Sequence, residues 1–242
     1  MEKYFNVTGS CNPNRHYMAD ISTKLAATMK LVERGEYFII NRPRQYGKTT
    51  MLNVLVQALS PLPDQYIMIR MSFEGVGDAI FENEASFCPQ FIDMLNYALE
   101  LSYPELTAVA DSQLGSADDL KKLSRFISRL VTTLDRKVVL LIDEVDKSSN
   151  NQLFVSFLAM LRDKFLNRDI GEKTFHSIVL AGVHDVKSLK LKIRPKAEKK
   201  LNSPWNIAAD FNVDMSFSPA EINVMLSDFA AERGVTLDAD VL

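Results

Sequence analysis

Two cysteines, Cys11 and Cys88, are all that the 242 residues contain. They are too few for a disulfide framework and fit a reducing cytosol. Long apolar runs are missing, so no stretch is long enough to span a bilayer. The first residues, Met1-Glu2-Lys3-Tyr4-Phe5-Asn6, lack the apolar core of a signal peptide. Excess positive charge is missing as well. The net charge is −3, which implies no overall pull toward nucleic acid. Internal repeats and low-complexity tracts are absent, and glycine and proline number nine each. What is left is an ordered, soluble chain expected in the cytoplasm, long enough for one large α/β domain and an appendage.

The informative stretch is Tyr37-Phe38-Ile39-Ile40-Asn41-Arg42-Pro43-Arg44-Gln45-Tyr46-Gly47-Lys48-Thr49-Thr50-Met51-Leu52. It reads as a buried strand, a tight loop and a buried helix. Gly-Lys-Thr ends the loop as a phosphate-binding loop ends. A polyphosphate needs backbone N–H groups curled around it and a helix N-terminus aimed at it. Arg44, Gln45, Tyr46 and Gly47, with Lys48, Thr49 and Thr50, are the candidate cradle. Lys48 reaches the β- and γ-phosphates, and the Thr49 hydroxyl holds Mg²⁺. The match is incomplete, because Arg42 stands where the general pattern has its first glycine.

A second motif follows. Val138-Val139-Leu140-Leu141-Ile142 are five apolar residues in a row, and Asp143-Glu144 come next. An unbroken apolar run suits a central parallel strand, buried on both faces. Its acids emerge at the carboxyl end, where open α/β sheets bind ligands. Asp143 is placed to support Mg²⁺ through water. Glu144 is placed to deprotonate an attacking water. His184 follows the run Ser177–Val183. It would sense a γ-phosphate if that strand lay between the two that carry the motifs, and would be a surface histidine otherwise.

Strands are expected at 37–40, 66–73, 137–142, 177–183 and 211–217. Helices are expected from Asp20 or Ser22 to Gly35, after the loop to Leu59, over 84–102, from a Ser116 cap through Leu134, over 153–165, and from Ser218 to Gly234. Strands and helices alternate, which predicts a parallel sheet with helices on both faces. Three regions follow: an arm and helix over 1–35, a core over 36–217, and over 218–242 a lid that begins and reads as a piece of something longer. Tyr17 and Met18 either pack on an adenine or, the commoner use of such residues, anchor the arm. Seven basic residues against one acid in 187–200 either grip nucleic-acid phosphates or form a solvated loop, the commoner use of such composition.

On His16-Tyr17-Met18, the loop Arg42 to Thr49, Leu141-Ile142-Asp143-Glu144 and Leu201-Asn202-Ser203-Pro204-Trp205-Asn206-Ile207-Ala208, the chain resembles the AAA-like family. These are P-loop ATPases with an additional strand and a catalytic Glu. The resemblance implies a three-layer α-β-α fold, a five-stranded parallel sheet in order 5-1-4-3-2, and a helical lid. It implies ATP with Mg²⁺ on Lys48, Thr49 and Asp143, Glu144 as base, and His184 near the sensor position. The Arg42 form of the loop looks typical of this group. An arginine for the transition state would come from Arg162, Arg168 or Arg194, from another copy, or from a partner. No Asn-Lys-x-Asp guanine signature is present, which favours ATP over GTP. The alternatives are a partner-dependent ATP switch with little hydrolysis of its own, and a nucleotide-regulated nucleic-acid-binding module working through 187–200.

Overall fold

A computed structural model describes residues 2–62, 65–106, 117–148, 151–183 and 205–238. Four parallel strands form one sheet. They are β1 (Tyr37–Asn41), β2 (Tyr66–Ser72), β3 (Lys137–Asp143) and β4 (Ser177–Gly182), in the order β1-β4-β3-β2. Around them lie α1 (Ser22–Glu33), α2 (Lys48–Leu59), α3 (Glu84–Ser102), α4 (Leu120–Leu134), α5 (Gln152–Leu166) and α6 (Pro219–Arg233).

The sheet is central because successive side chains of a strand point to opposite faces, and both sets here are apolar. Tyr37, Ile39, Leu140, Ile142, Ile178 and Leu180 face α3, α4 and α5. Phe38, Ile40, Val139, Leu141, Val179 and Ala181 face α1 and α2. Each strand thus feeds two cores, and three layers result. The register aligns the carboxyl ends: Asn41 sits beside Gly182, and Ser72 beside Asp143. The loop after β1 and the acids after β3 therefore open at one end of the sheet. No helix of the described residues is long and apolar enough to cross a membrane.

Two expectations are corrected. The α4 cap is Asp119, whose carboxylate accepts from Lys122 N at 2.6 Å. Ser116 lies outside the described residues. The expected fifth strand, 211–217, does not form among the described residues, so the sheet has four strands instead of the order 5-1-4-3-2. A single bridge beside β1 starts it, with Ala209 N donating to Tyr37 O at 2.8 Å. Further pairing is replaced by a side chain. One Arg42 nitrogen, Nη2, donates to Phe211 O (3.3 Å) and to Val213 O (2.8 Å). The alternation holds in part: Phe211 and Met215 are buried, Val213 is half-buried and Phe217 is exposed.

The end of β4 is tight for a different reason. A Cβ on Gly182 would lie 2.9 Å from Asp146 Oδ2 and 3.0 Å from Val145 Cγ2. The Asp146 carboxylate also accepts from Val183 N. Gly182→Ala is expected to cost about 1–3 kcal/mol of stability by overpacking, read as a lower urea midpoint at unchanged slope.

Candidate functional site

The loop between β1 and α2 turns on two left-handed residues, Gln45 (φ 64°) and Gly47 (φ 71°). Gly47 is the N-cap of α2 and no side chain caps that end. The first N–H groups of the helix are therefore left for a ligand. Lys48 is buried at 7% exposure, and its Nζ donates to Arg42 O (2.9 Å) and Pro43 O (3.0 Å). Its ammonium lies inside the curve of the loop, while Arg44, Gln45 and Tyr46 are exposed.

Arg42 explains how the loop dispenses with its first glycine. The guanidinium turns back to the edge of the sheet. Nη1 bonds Asn41 O and Asn41 Oδ1, Nη2 bonds Phe211 and Val213, and the group lies over the Phe211 ring at 5.5 Å. Phe211 in turn stacks on Phe38 of β1 at 5.8 Å. The side chain thus leaves the loop and ties it to 209–213.

Asp143 ends β3 at 3% exposure. Its Oδ2 accepts from Thr49 Oγ1 at 2.8 Å and pairs with Arg70 Nη2 at 3.4 Å, and its Oδ1 accepts from Glu144 N at 3.0 Å. The two motifs, 94 residues apart, are in direct contact. Glu144 adopts φ 54°. A non-glycine residue there is strained, and such strain gathers at functional sites. The Thr49 hydroxyl and the Asp143 carboxylate are hard oxygen donors that suit Mg²⁺. No cluster of three His, Cys, Asp or Glu exists among the described residues. A cation here would complete its shell with phosphate oxygens and water, as Mg²⁺ commonly does.

β4 lies between β1 and β3, which meets the geometric condition set for His184. His184 itself, Arg194, 187–200 and Leu201–Pro204 lie outside the described residues. Arg162 is engaged through Nε with Asn206 Oδ1 (2.8 Å). Arg168 donates to Gly35 O (2.7 Å), just ahead of β1, and so lies at the opposite end of the sheet.

Sequence reasoning passed over two features. Arg70 was one. Its signal was a cation inside the otherwise apolar run Tyr66–Met71. The other is a hollow of about 690 Å³ beside the loop, lined mostly by apolar side chains. Gln45, Tyr46, Gly47, Thr50 and Met51 form one wall, 5–9 with Tyr17 and Met18 another, and Met215, Phe217, Ile222 and Met225 a third. The arm is hooked to α2 by Cys11 N donating to Thr50 Oγ1 at 3.0 Å. Tyr17 is 3% exposed and packs against Phe5 and Phe229, so it anchors the arm, while Met18 is only partly buried.

The family model of the AAA-like domain matches residues 9–230. The chain belongs to the AAA-like domain family. A search of curated proteins finds no match. Two solved structures are similar to this AAA-like domain. The Aeropyrum pernix ORC1 protein in complex with DNA is 12% identical, with a TM-score of 0.48 over 89% of this chain and 50% of that one. The Aeropyrum pernix ORC2 protein, solved as ADPNP-ADP complexes, is 12% identical, with a TM-score of 0.43 over 74% and 48%. The AAA-like domain spans about half the length of those chains.

Arg42→Gly would restore the general loop pattern, yet it removes every bond that the guanidinium makes. Hydrogen bonds from a charged donor are worth about 1.5–3 kcal/mol in such settings. The variant is expected to lose about 2 kcal/mol in chemical denaturation; unchanged or higher stability would show that the Arg42 bonds do not hold this edge.

Proposed function

We propose that this AAA-like domain binds Mg-ATP at the loop 42–50 and hydrolyses it to ADP and phosphate. One observation carries the reading: Thr49 Oγ1 and Asp143 Oδ2 stand 2.8 Å apart, with Lys48 in the same loop and Glu144 next to Asp143. Loop amides from Gln45 to Thr50 and the Lys48 ammonium hold the β- and γ-phosphates. Thr49 and Asp143 are the residues that would hold Mg²⁺, which when bound would supply positive charge against the phosphate oxygens. Glu144 takes a proton from a water in line with the γ-phosphate. The water oxygen then bonds to phosphorus, and the bond from phosphorus to the bridging oxygen breaks. The hollow against Met18, Met215 and Met225 takes the base, and its size is that of a small-molecule site. His184 serves as γ-phosphate sensor on the strength of the β4 position alone. Residues 1–35 act as an arm over the base, 36–217 as the core, and 218–242 as a helical lid.

A second reading has specific support. Arg162 and Arg168 are both engaged away from the loop. Of the three candidates in this chain that leaves Arg194; in this reading the transition-state arginine comes instead from another copy or a partner, and the domain acts as an ATP switch. Turnover per molecule would rise with protein concentration. Nucleic-acid stimulation through 187–200 rests on the charge of that segment alone.

Phosphate release from Mg-ATP should fall at least about 100-fold, the scale of general-base catalysis, in both Lys48→Ala and Glu144→Gln. Nucleotide binding, read by equilibrium titration, should survive in Glu144→Gln and be lost in Lys48→Ala. Binding that Lys48→Ala leaves intact would remove the loop from the site. Full turnover by Glu144→Gln would remove Glu144 from the role of base.

A further inference from the structure

Helix α4 contains no acid. Its apolar stripe, Leu123, Phe126, Ile127, Leu130 and Leu134, is buried. Its outer face shows Lys121, Lys122, Arg125, Arg129 and Thr132, all exposed. Lys121, Arg125 and Arg129 recur every four residues, about 6 Å apart along the axis. Like charges at that spacing work against a helix, so the pattern does not serve folding. Lys122 is paired with Asp118 at 2.5 Å. Among the described residues, Lys121, Arg125 and Lys173 have no carboxylate partner.

The stripe continues past the end of α4. A left-handed turn at Asp135 brings Arg136 and Lys137 to the start of β3. Two adjoining hollows of about 630 and 650 Å³ run from α4 to the amino ends of the strands, and both touch Glu172. Eight cationic side chains and three carboxylates line them, in a chain whose net charge is −3. The shared acid is already neutralised: Glu172 pairs with buried Lys164 and accepts from Ser128 Oγ at 2.8 Å. Lys164, foremost, holds the Glu172 carboxyl below the usual glutamate value.

We propose that the outer face of α4, continued by Arg136, Lys137 and Lys173, is a binding surface for the phosphodiester backbone of double-stranded nucleic acid. Repeated cations answer a repeated anion, and arginine binds phosphate through two parallel N–H bonds. A membrane surface fits less well, because an interfacial helix needs an apolar face toward lipid and that of α4 is spent in the core. The surface belongs to the layer opposite α1 and α2, which flank the ATP hollow. A duplex and a nucleotide can therefore be held together. Contacts to phosphates alone carry no sequence preference. None of these residues belongs to the segment 187–200, and the proposal does not depend on the ATP reading.

The test is fluorescence anisotropy with a random-sequence duplex of about 30 base pairs, titrated from about 50 to 200 mM salt. The probe is measured against the full chain, the triple variant Lys121→Gln/Arg125→Gln/Lys173→Gln, and a variant with the lysines of 187–200 changed to Gln. Unchanged thermal melting of the triple variant, whose sites are all exposed, shows that the fold is kept. The expected result is a loss of at least about tenfold in affinity for the triple variant, with a salt slope shallower by about 2–3. Three results would overturn the proposal: no binding by the full chain at the lowest salt, equal affinity and slope in the triple variant, or loss confined to the 187–200 variant. Preference for an acidic peptide or for phosphatidylserine vesicles over duplex would overturn it too.

Discussion

A carboxylate at 3% exposure has to be bonded on both oxygens, because burying it without partners costs several kcal/mol. Asp143 meets that demand with groups from three directions: the hydroxyl of Thr49 on α2, the guanidinium of Arg70 on β2, and the amide of Glu144. The start of α2 cannot drift from the end of β3 without breaking one of these bonds. Glu144 takes its left-handed conformation as the chain turns back so that its amide meets Asp143. The geometry proposed for catalysis is thus the geometry that satisfies one buried charge.

The edge beyond β1 follows a different logic. A sheet edge offers unpaired backbone groups that something must cover. Here Ala209 N covers Tyr37 O, the Arg42 guanidinium covers Asn41 O and ties Phe211 and Val213 alongside, and Phe211 packs on Phe38 beneath it. One residue both replaces the usual loop glycine and stands in for ladder bonds of an outer strand. Across the hollow, the arm meets α6 through Lys3–Asp228, Lys24–Glu221 and Arg233–Glu2. Lys3–Asp228 and Arg233–Glu2 are largely exposed and contribute little each, whereas Lys24 is buried in its pair with Glu221. The rings of Phe5, Tyr17 and Phe229 supply the apolar contact between them.

Legibility in the sequence followed how local each signal was. β3 and β4 read plainly because strands buried on both faces are unbroken apolar runs. Ser218-Pro219 with Glu221 read plainly because a capping box lies within four residues, and it forms as expected. That Thr49 and Asp143 lie at the same end of the sheet followed from order and strand type; their direct bond did not. The fifth strand misled because alternation reports which way side chains point, and that was right at Phe211 and Met215. What the backbone bonds to was decided by Arg42, 169 residues away. Arg70 stood out as a cation in an apolar run, but its role, like the hollow, lies in neighbours distant along the chain.

Amide hydrogen exchange with and without Mg-ATP tests the central claim most directly, because it reads the loop itself. Slowed exchange at 45–50, with smaller protection at 7–11 across the hollow, is the result that a nucleotide cradled by this loop requires. Unchanged exchange at 45–50 under saturating Mg-ATP would contradict it.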